Sequence, residues 1–169
     1  MQVFKISGKF EQNSKWSCRD ADFIGYFTRS EGDGVIEGYI EEQFPTRYDP
    51  IRYIKGLFTD SNQLIFMKMC NDGNLSPLVY SFPNLNEQGY WSAFHHIGGF
   101  FHNGSYEGHS TVELEEITSE DEKREIKQKV ITIFAEKTSK ATPLNRDLLY
   151  DAKSLIDFLD EESEWYPKK

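Results

Sequence analysis

A five-residue pattern, in which a glycine stands between two large apolar residues at alternate positions, recurs through the first 110 residues of the chain. Copies stand at residues 6–10, 23–27, 36–40, 54–58 and 97–101. Alternate residues of a β-strand share one face, so each copy gives its strand an apolar face with glycine at the middle. Glycine inside a strand marks a bend or a close backbone approach, and repeated glycine bends curl antiparallel sheets into barrels.

The predicted strands follow one another as a meander, separated by turn residues. They span residues 2–11, 22–30, 34–43, 52–60, 63–70, 77–82, 89–102 and 105–117. The chain is therefore predicted to be mainly β, an eight-stranded antiparallel up-and-down barrel, because closing the sheet removes its exposed edges.

The register of the last predicted hairpin depends on which residues form its loop. Asn103-Gly104 is a dipeptide typical of two-residue hairpin loops. With that loop, Gly99 would lie opposite Gly108, which would bring two strands close at a bend of the barrel. All four histidines fall between residues 95 and 109 and would lie on this hairpin.

Two earlier hairpins are predicted by the same reasoning. A loop at Glu31-Gly32 would pair Gly25 with Gly38, so that glycine again meets glycine. A loop at Ser61-Asn62 would place Met67 on the apolar inner face of the barrel. A slip of one residue in either hairpin would move every side chain of a strand to the other face.

The composition changes near residue 110 and divides the chain into two parts. All 12 glycines lie between Gly8 and Gly108, and aromatic residues, 15% of the chain, are concentrated in the same part. Aromatic residues favour strands. We therefore assign residues 1–117 to the antiparallel barrel and residues 118–169 to a helical C-terminal extension of the same domain.

Two segments after the predicted barrel carry helical signals. Ser119 and Glu122 have the spacing of a capping box, and the apolar residues that follow indicate a helix over residues 120–139. The β-branched run within residues 126–137 leaves a strand as the alternative there. A second amphipathic helix is predicted over residues 144–161. Both helices are expected to pack on the barrel or across one end.

Charge and cysteine content exclude several classes of protein. The formal net charge is -9, whereas a protein that binds nucleic acid needs a basic face, so no nucleic-acid partner is expected. The first residues have no signal-peptide pattern and no stretch approaches 18 apolar residues, so no membrane span is expected. Cys18 and Cys70 are too few and too far apart for a disulfide framework, which favours reduced thiols and a cytoplasmic protein.

The eight-strand meander with glycine-centred strands and a helical C-terminal segment resembles the calycin superfamily of lipocalin-like and avidin-like barrels. The resemblance covers residues 1–117. Lipocalins have a G-x-W motif near the first strand, and in Gly8-Lys9-Phe10 phenylalanine stands where the tryptophan would be. The resemblance implies a small barrel that can hold an apolar or amphipathic ligand, and calycins include both binding proteins and enzymes.

The proposed inner face contains a candidate binding site for a small hydrophobic ligand. Its predicted ligand-binding residues are Trp91, His95, Phe101, Tyr106, Phe27, Phe58 and Met67. His95 is the titratable residue on an otherwise apolar face, so it is either a core histidine with a hydrogen-bond partner or a polar contact for the ligand. Glu41-Glu42, by contrast, is expected to lie on a solvated face, because glutamate is rarely buried.

Three histidines offer an alternative in the same hairpin. In the predicted register His96, His102 and His109 share one face, where imidazoles could bind zinc. Their spacing matches no recognised metal motif, so we expect solvated histidines and no metal. No nucleophile elbow, phosphate-binding loop or dinucleotide motif is present, and neither catalytic residues nor a cofactor are predicted.

The sequence therefore favours a soluble binding module for a small apolar or amphipathic molecule held in a β-barrel. One alternative is an enzyme that uses the hairpin from His95 to His109 for metal-assisted or histidine acid/base chemistry. Another is a protein-interaction or inhibitor domain whose barrel is filled by its own side chains, with a protein partner or a second copy of the chain bound to its surface.

Overall fold

A computed structural model of the chain describes residues 1–12, 21–43, 50–68, 78–97 and 100–140. Side chains are described for these residues except 12, 92–97, 100–107, 138 and 140.

Eight antiparallel strands form a closed barrel in which each strand pairs with its neighbours in the sequence and the first pairs with the last. The elements are β1 (Gln2–Gln12), β2 (Ala21–Arg29), β3 (Val35–Gln43), β4 (Ile51–Phe58), β5 (Leu64–Lys68), β6 (Leu78–Phe82), β7 (Gly89–Ile97), β8 (Phe100–Glu116) and α1 (Glu120–Lys140). The predicted fold class is confirmed, with one C-terminal helix packed against the barrel.

The inside of the barrel is a core rich in aromatic side chains. Phe4 stacks on Phe27 with ring centres 5.3 Å apart, and Phe66 stacks on Tyr80 at 5.0 Å. The strand glycines allow the rings to lie close to the backbone: a Cβ added at Gly8 would be 2.8 Å from the ring of Phe23. The glycine pattern therefore accommodates internal rings as well as sheet curvature.

The predicted register of β2 and β3 is wrong by two residues. Gly25 lies opposite Ile40 and Gly38 lies opposite Phe27, so glycine does not meet glycine. The loop has four residues, 31–34, and is closed by a bond of 2.9 Å from the amide of Ser30 to the carbonyl oxygen of Val35. A shift of two residues leaves every side chain on its predicted face, because the side-chain period of a strand is two.

The predicted register of β4 and β5 is wrong by one residue, and this changes a face. The loop has three residues because the amide of Thr59 bonds to the carbonyl oxygen of Gln63 at 2.9 Å, with Asn62 in the left-handed region at φ 63°. Gly56 therefore lies opposite Phe66, which points into the barrel. Met67 lies outside, in the cluster under α1, so its predicted place on the inner face is wrong.

The hairpin of β7 and β8 turns earlier than the sequence analysis predicted. Ile97 pairs with Phe100, so the link is residues 98–99, and Asn103-Gly104 lies within β8. Gly108 consequently lies opposite Trp91, and the ladder has irregularities between Trp91 and Phe94. Residues 98 and 99, including the Gly99 of the predicted glycine pair, lie outside the described residues.

The helix α1 confirms the first of the two predicted helices and excludes the strand alternative for residues 126–137. The Ser119 hydroxyl accepts a bond from the amide of Glu122 at 3.4 Å, as a capping residue should. Ile126, Val130 and Ile133 are buried against the outer face of the barrel. The second predicted helix, residues 144–161, lies outside the described residues.

Within the described residues, no helix combines the length and the apolar composition needed to cross a membrane.

Candidate functional site

The two ends of the barrel differ in chemistry. We call one end the Arg29 end, where β2 ends and β3 begins, and the other the Lys68 end, where β5 ends and β6 begins. Strand direction alternates around the barrel, so the ends of β1, β3 and β5 and the starts of β2, β4 and β6 meet at the Lys68 end.

The Arg29 side chain lies over the aromatic core at its own end. Its Nε donates to the carbonyl oxygen of Phe58 at 2.7 Å, and its Nη1 and Nη2 donate to Gln2 Oε1 and Asp60 Oδ1, both at 2.8 Å. The guanidinium carbon is 5.3 Å from the centre of the Phe58 ring. Hydrogen bonds to three separate partners fix the guanidinium over the rings, so this end is covered by a well-anchored polar group.

The Lys68 end contains charged side chains inside the barrel. Lys68 Nζ is 2.8 Å from Glu42 Oε1, and Arg52 Nε is 3.2 Å from the same oxygen. The side chains of Lys68 and Glu42 are only 5% and 4% exposed, and that of Arg52 is mostly buried. We call Glu42, Arg52 and Lys68 the internal charge cluster.

The strand pattern explains why these three residues point inward. Glu42 continues the inner series of β3 after Ile40, and Arg52 lies opposite Ile40 in the neighbouring strand. Lys68 follows Phe66 on the inner face of β5. All three lie at the last inward position of a strand near the Lys68 end, so a polar group there shares the barrel interior with the aromatic core.

Aromatic rings surround the Lys68 ammonium. Its nitrogen is 4.8 Å from the centre of the Phe10 ring and 5.2 Å from that of Tyr80, within the range of cation–π attraction. Trp91 stacks on Tyr80 at 6.1 Å. Burial alone would lower the pKa of Lys68, but the Tyr80 phenol and the Glu42 carboxylate together raise it above its ordinary value, so Lys68 remains positively charged.

The internal charge cluster contains two cations and one anion. Both cations converge on one oxygen, Glu42 Oε1. Arg52 Nη1 is buried and has no hydrogen-bond partner among the described residues. Chemically, the cluster therefore offers donors and a positive charge in excess, next to an apolar aromatic surface.

The four predicted ligand-binding residues with described side chains lie in three different places. Phe27 and Phe58 are buried inside the barrel, with ring centres 6.3 Å apart, at the Arg29 end. Trp91 is also inside, next to Tyr80 at the Lys68 end. Met67 is outside, under α1. The side chains of His95, Phe101 and Tyr106 lie outside the described ones, so their predicted role stays a prediction.

The register required by the three-histidine alternative is not the observed one. His95 pairs with His102, and His96 pairs with Phe101. The His109 side chain is half-buried, and its Nε2 lies 2.6 Å from Glu11 Oε2. Among the described side chains, no group of three histidine, cysteine, aspartate or glutamate residues is close enough to hold a metal ion.

The internal charge cluster was not predicted from the sequence, and the expectation that Glu42 lies on a solvated face is wrong. The signal was present in the alternation of the strands: counting by twos from Ile36 through Ile40 reaches Glu42. The same count leads back from Ile54 to Arg52, and forward from Phe66 to Lys68. At these three positions the prediction followed the rule that charged residues are usually exposed instead of the strand period, and the prediction was wrong.

Comparison with protein-family models, with curated proteins and with solved structures found no match to this chain.

Proposed function

We propose that this chain is a calycin-like binding module that holds a small amphipathic molecule at the Lys68 end of its barrel. The observation that carries the proposal is the internal charge cluster, a set of charged side chains inside a barrel whose remaining described interior is largely aromatic. A site with an apolar wall and a few placed polar groups is the usual composition of small-molecule pockets.

The free-energy cost of burying the internal charge cluster supports a role in binding. Removing a charge from water costs several kcal/mol per ion, and apolar residues of similar size often stabilise a core as well or better than a buried ion pair does. Packing alone would favour leucine or phenylalanine at these positions, as at the neighbouring inward positions Ile40 and Phe66. Three charged residues in one place therefore favour a function that needs them.

The apolar part of the ligand is assigned to the rings near the cluster. Trp91, Tyr80 and Phe10 contact one another at centre distances of 6.1–6.2 Å and form one aromatic surface beside Lys68. We assign His95, Phe101 and Tyr106 to the rim of the same site, because β7 and β8 continue past their last pairs with β6 and β1 at this end. The Arg29 side chain covers the opposite end, so entry is proposed at the Lys68 end.

Tryptophan fluorescence can test this location with the neutral hydrophobic probe N-phenyl-1-naphthylamine. The chain has three tryptophans, Trp16, Trp91 and Trp165. We expect saturable binding that quenches tryptophan emission, and we expect Trp91→Phe to remove most of the quenching while Trp16→Phe and Trp165→Phe retain it. Each variant must melt cooperatively so that binding to a loosened core is excluded. Absence of saturable binding, or quenching unchanged in Trp91→Phe, would contradict the proposal.

A second candidate is a protein-interaction domain with a filled barrel. The observation in its favour is the ring packing at the Arg29 end, where Phe4, Phe27 and Phe58 contact one another at 5.3–6.3 Å. Under this alternative the outer surface would bind a protein partner or a second copy of the chain, and the neutral probe would not bind. The same titration therefore separates the two candidates.

A further inference from the structure

The internal charge cluster has more hydrogen-bond donors than its acceptors can satisfy. A lysine ammonium has three N–H groups and an arginine guanidinium has five. Both of the cluster's contacts to Glu42 use a single oxygen, Oε1, so one carboxylate serves two cations. With one anion and two cations, these three side chains carry a net formal charge of +1.

Within the cluster, Arg52 has a hydrogen-bond donor that is left unsatisfied. Its Nε contacts Glu42, while its Nη1 is buried without a hydrogen-bond partner among the described residues. Leaving a buried donor unsatisfied is costly, and more so for a charged group. An added acceptor at Nη1 would remove that cost. The planar guanidinium fork matches a carboxylate, with two parallel N–H donors facing two oxygens.

We infer that the molecule bound at the Lys68 end carries one anionic group of the carboxylate type, which accepts hydrogen bonds from Arg52 while Glu42 remains the partner of Lys68. This inference rests on the proposed binding function. It assigns the ligand class as an amphipathic anion, with its acidic group at Arg52 and its apolar part against Trp91 and Tyr80. It also predicts that the site disfavours cationic ligands, because a cationic group at this place would be repelled by the net positive charge of the cluster.

The overall charge of the chain opposes the binding of an anion. At a formal net charge of -9, the protein as a whole repels anions. Any preference for an anion over a neutral analogue must therefore come from a local site. The preference should also persist at moderate salt, because buried charges are screened much less than charges on the surface.

Displacement of bound N-phenyl-1-naphthylamine by three molecules with the same alkyl chain provides the test. The molecules are dodecanoate, 1-dodecanol and dodecylamine, used near neutral pH, with the two ionic compounds below their critical micelle concentrations and 1-dodecanol below its solubility limit. We expect dodecanoate to displace the probe at a concentration at least about tenfold lower than 1-dodecanol, because hydrogen bonds to charged groups contribute about 1.5–3 kcal/mol. Dodecylamine should be the weakest competitor.

Two variants test whether the preference for dodecanoate over 1-dodecanol depends on Arg52. Arg52→Met should abolish the preference for dodecanoate over 1-dodecanol when both are measured on that variant. Lys55→Met is the matched control, because Lys55 is a cation on the same strand whose partner is Glu37 and which is not part of the cluster. If Arg52→Met fails to fold, Arg52→Lys replaces it. That variant keeps the charge without the fork, and we expect it to lower the dodecanoate preference several-fold.

The outcomes separate this inference from the proposed function. Equal displacement by dodecanoate and 1-dodecanol would overturn the anion assignment and leave the binding function intact. An undiminished dodecanoate preference in the Arg52 variant that folds would also overturn it. Failure of the probe to bind at all would overturn the proposed function itself.

Discussion

The indole Nε1 of Trp91 donates a hydrogen bond of 3.0 Å to the backbone carbonyl oxygen of Glu11. Trp91 is on β7 and Glu11 is on β1, and the two strands are separated by β8. The indole therefore crosses the inner face of β8 at Gly108, where a Cβ would lie 2.6 Å from Nε1. Ser110 makes a second link across the closing strands through its hydroxyl, which donates to the carbonyl oxygen of Lys9 at 2.8 Å.

Gly108→Ala should destabilise the barrel where β1 closes on β8. The added methyl group would meet both the Trp91 indole and the Glu11 carbonyl oxygen. Overpacking of this kind costs about 1–3 kcal/mol. Urea denaturation followed by circular dichroism measures the free energy of unfolding. Because the indole must move, tryptophan emission of the folded variant should also differ from that of the parent.

Gly32→Ala is the matched control for this prediction. Gly32 lies in the loop between β2 and β3 at φ 97°, and a Cβ there would meet no atom within 4 Å. Its cost should be limited to backbone strain, roughly 1–2 kcal/mol, with tryptophan emission unchanged. A Gly108→Ala variant as stable as the parent, with unchanged emission, would show that the indole does not cross Gly108.

The strand number and the faces of most strands could be predicted because a period of two depends only on local sequence. The registers could not, because they depend on loop length. Glu31-Gly32 and Ser61-Asn62 each suggested a loop of two residues, whereas the backbone forms loops of four and three. Ile97 pairs with Phe100, so Asn103-Gly104 is not the loop, and the pairing of β8 with β1 cannot be inferred from that dipeptide.

The candidate site was predicted only in part. Trp91 was assigned to the inner face because it lies in an apolar series, and the structure places it there. Lys68 and Arg52 were not identified because their charge argued for exposure, and their pairing with Glu42 joins three strands that only the closed barrel brings together. Burial of a charged residue follows from its tertiary partners, which the local pattern does not show.

Ile133→Ala should destabilise the protein by loosening α1 from the barrel. Ile133 is 5% exposed and packs with Ile126 and Val130 on the outer face of the sheet. Truncation of a buried isoleucine to alanine costs about 2–5 kcal/mol. Thermal or urea unfolding gives the measurement.

Ile131→Ala is the control on the same helix turn, since Ile131 is 51% exposed. Alanine is the better helix former, so this change should leave stability within about 0.5 kcal/mol of the parent. Equal losses from both changes would mean that the helix does not present the observed face to the barrel.

Glu42→Gln should lower stability more than an equivalent change at the surface. It leaves Lys68 and Arg52 as buried cations without their shared counter-charge. Breaking a buried ion pair by removing one partner costs about 3–5 kcal/mol. The control is Glu37→Gln, which removes a half-exposed carboxylate paired with Lys55 and should cost less than about 1 kcal/mol. Similar urea midpoints for the two variants would show that Glu42 is not the counter-ion of a buried cluster.

The pH dependence of stability should reveal the charge on Lys68. Its pKa in the folded protein is above the ordinary lysine value of about 10.4, because the contributions of Tyr80 and Glu42 outweigh burial. A raised pKa adds stability that is fully present below the unfolded-state pKa and is lost as pH rises through the folded-state pKa.

The unfolding free energy of the parent minus that of Lys68→Met should therefore be constant from about pH 7 to about pH 9.5. Above that range it should decrease, by about 1 kcal/mol at about pH 11. Tyr39 also titrates in this range with a raised pKa, but it is present in both proteins and cancels from the difference. An increase in that difference, parent minus Lys68→Met, as pH rises from about 7 to about 9.5 would mean that burial lowers the lysine pKa and that the internal charge cluster does not hold Lys68 in its charged form.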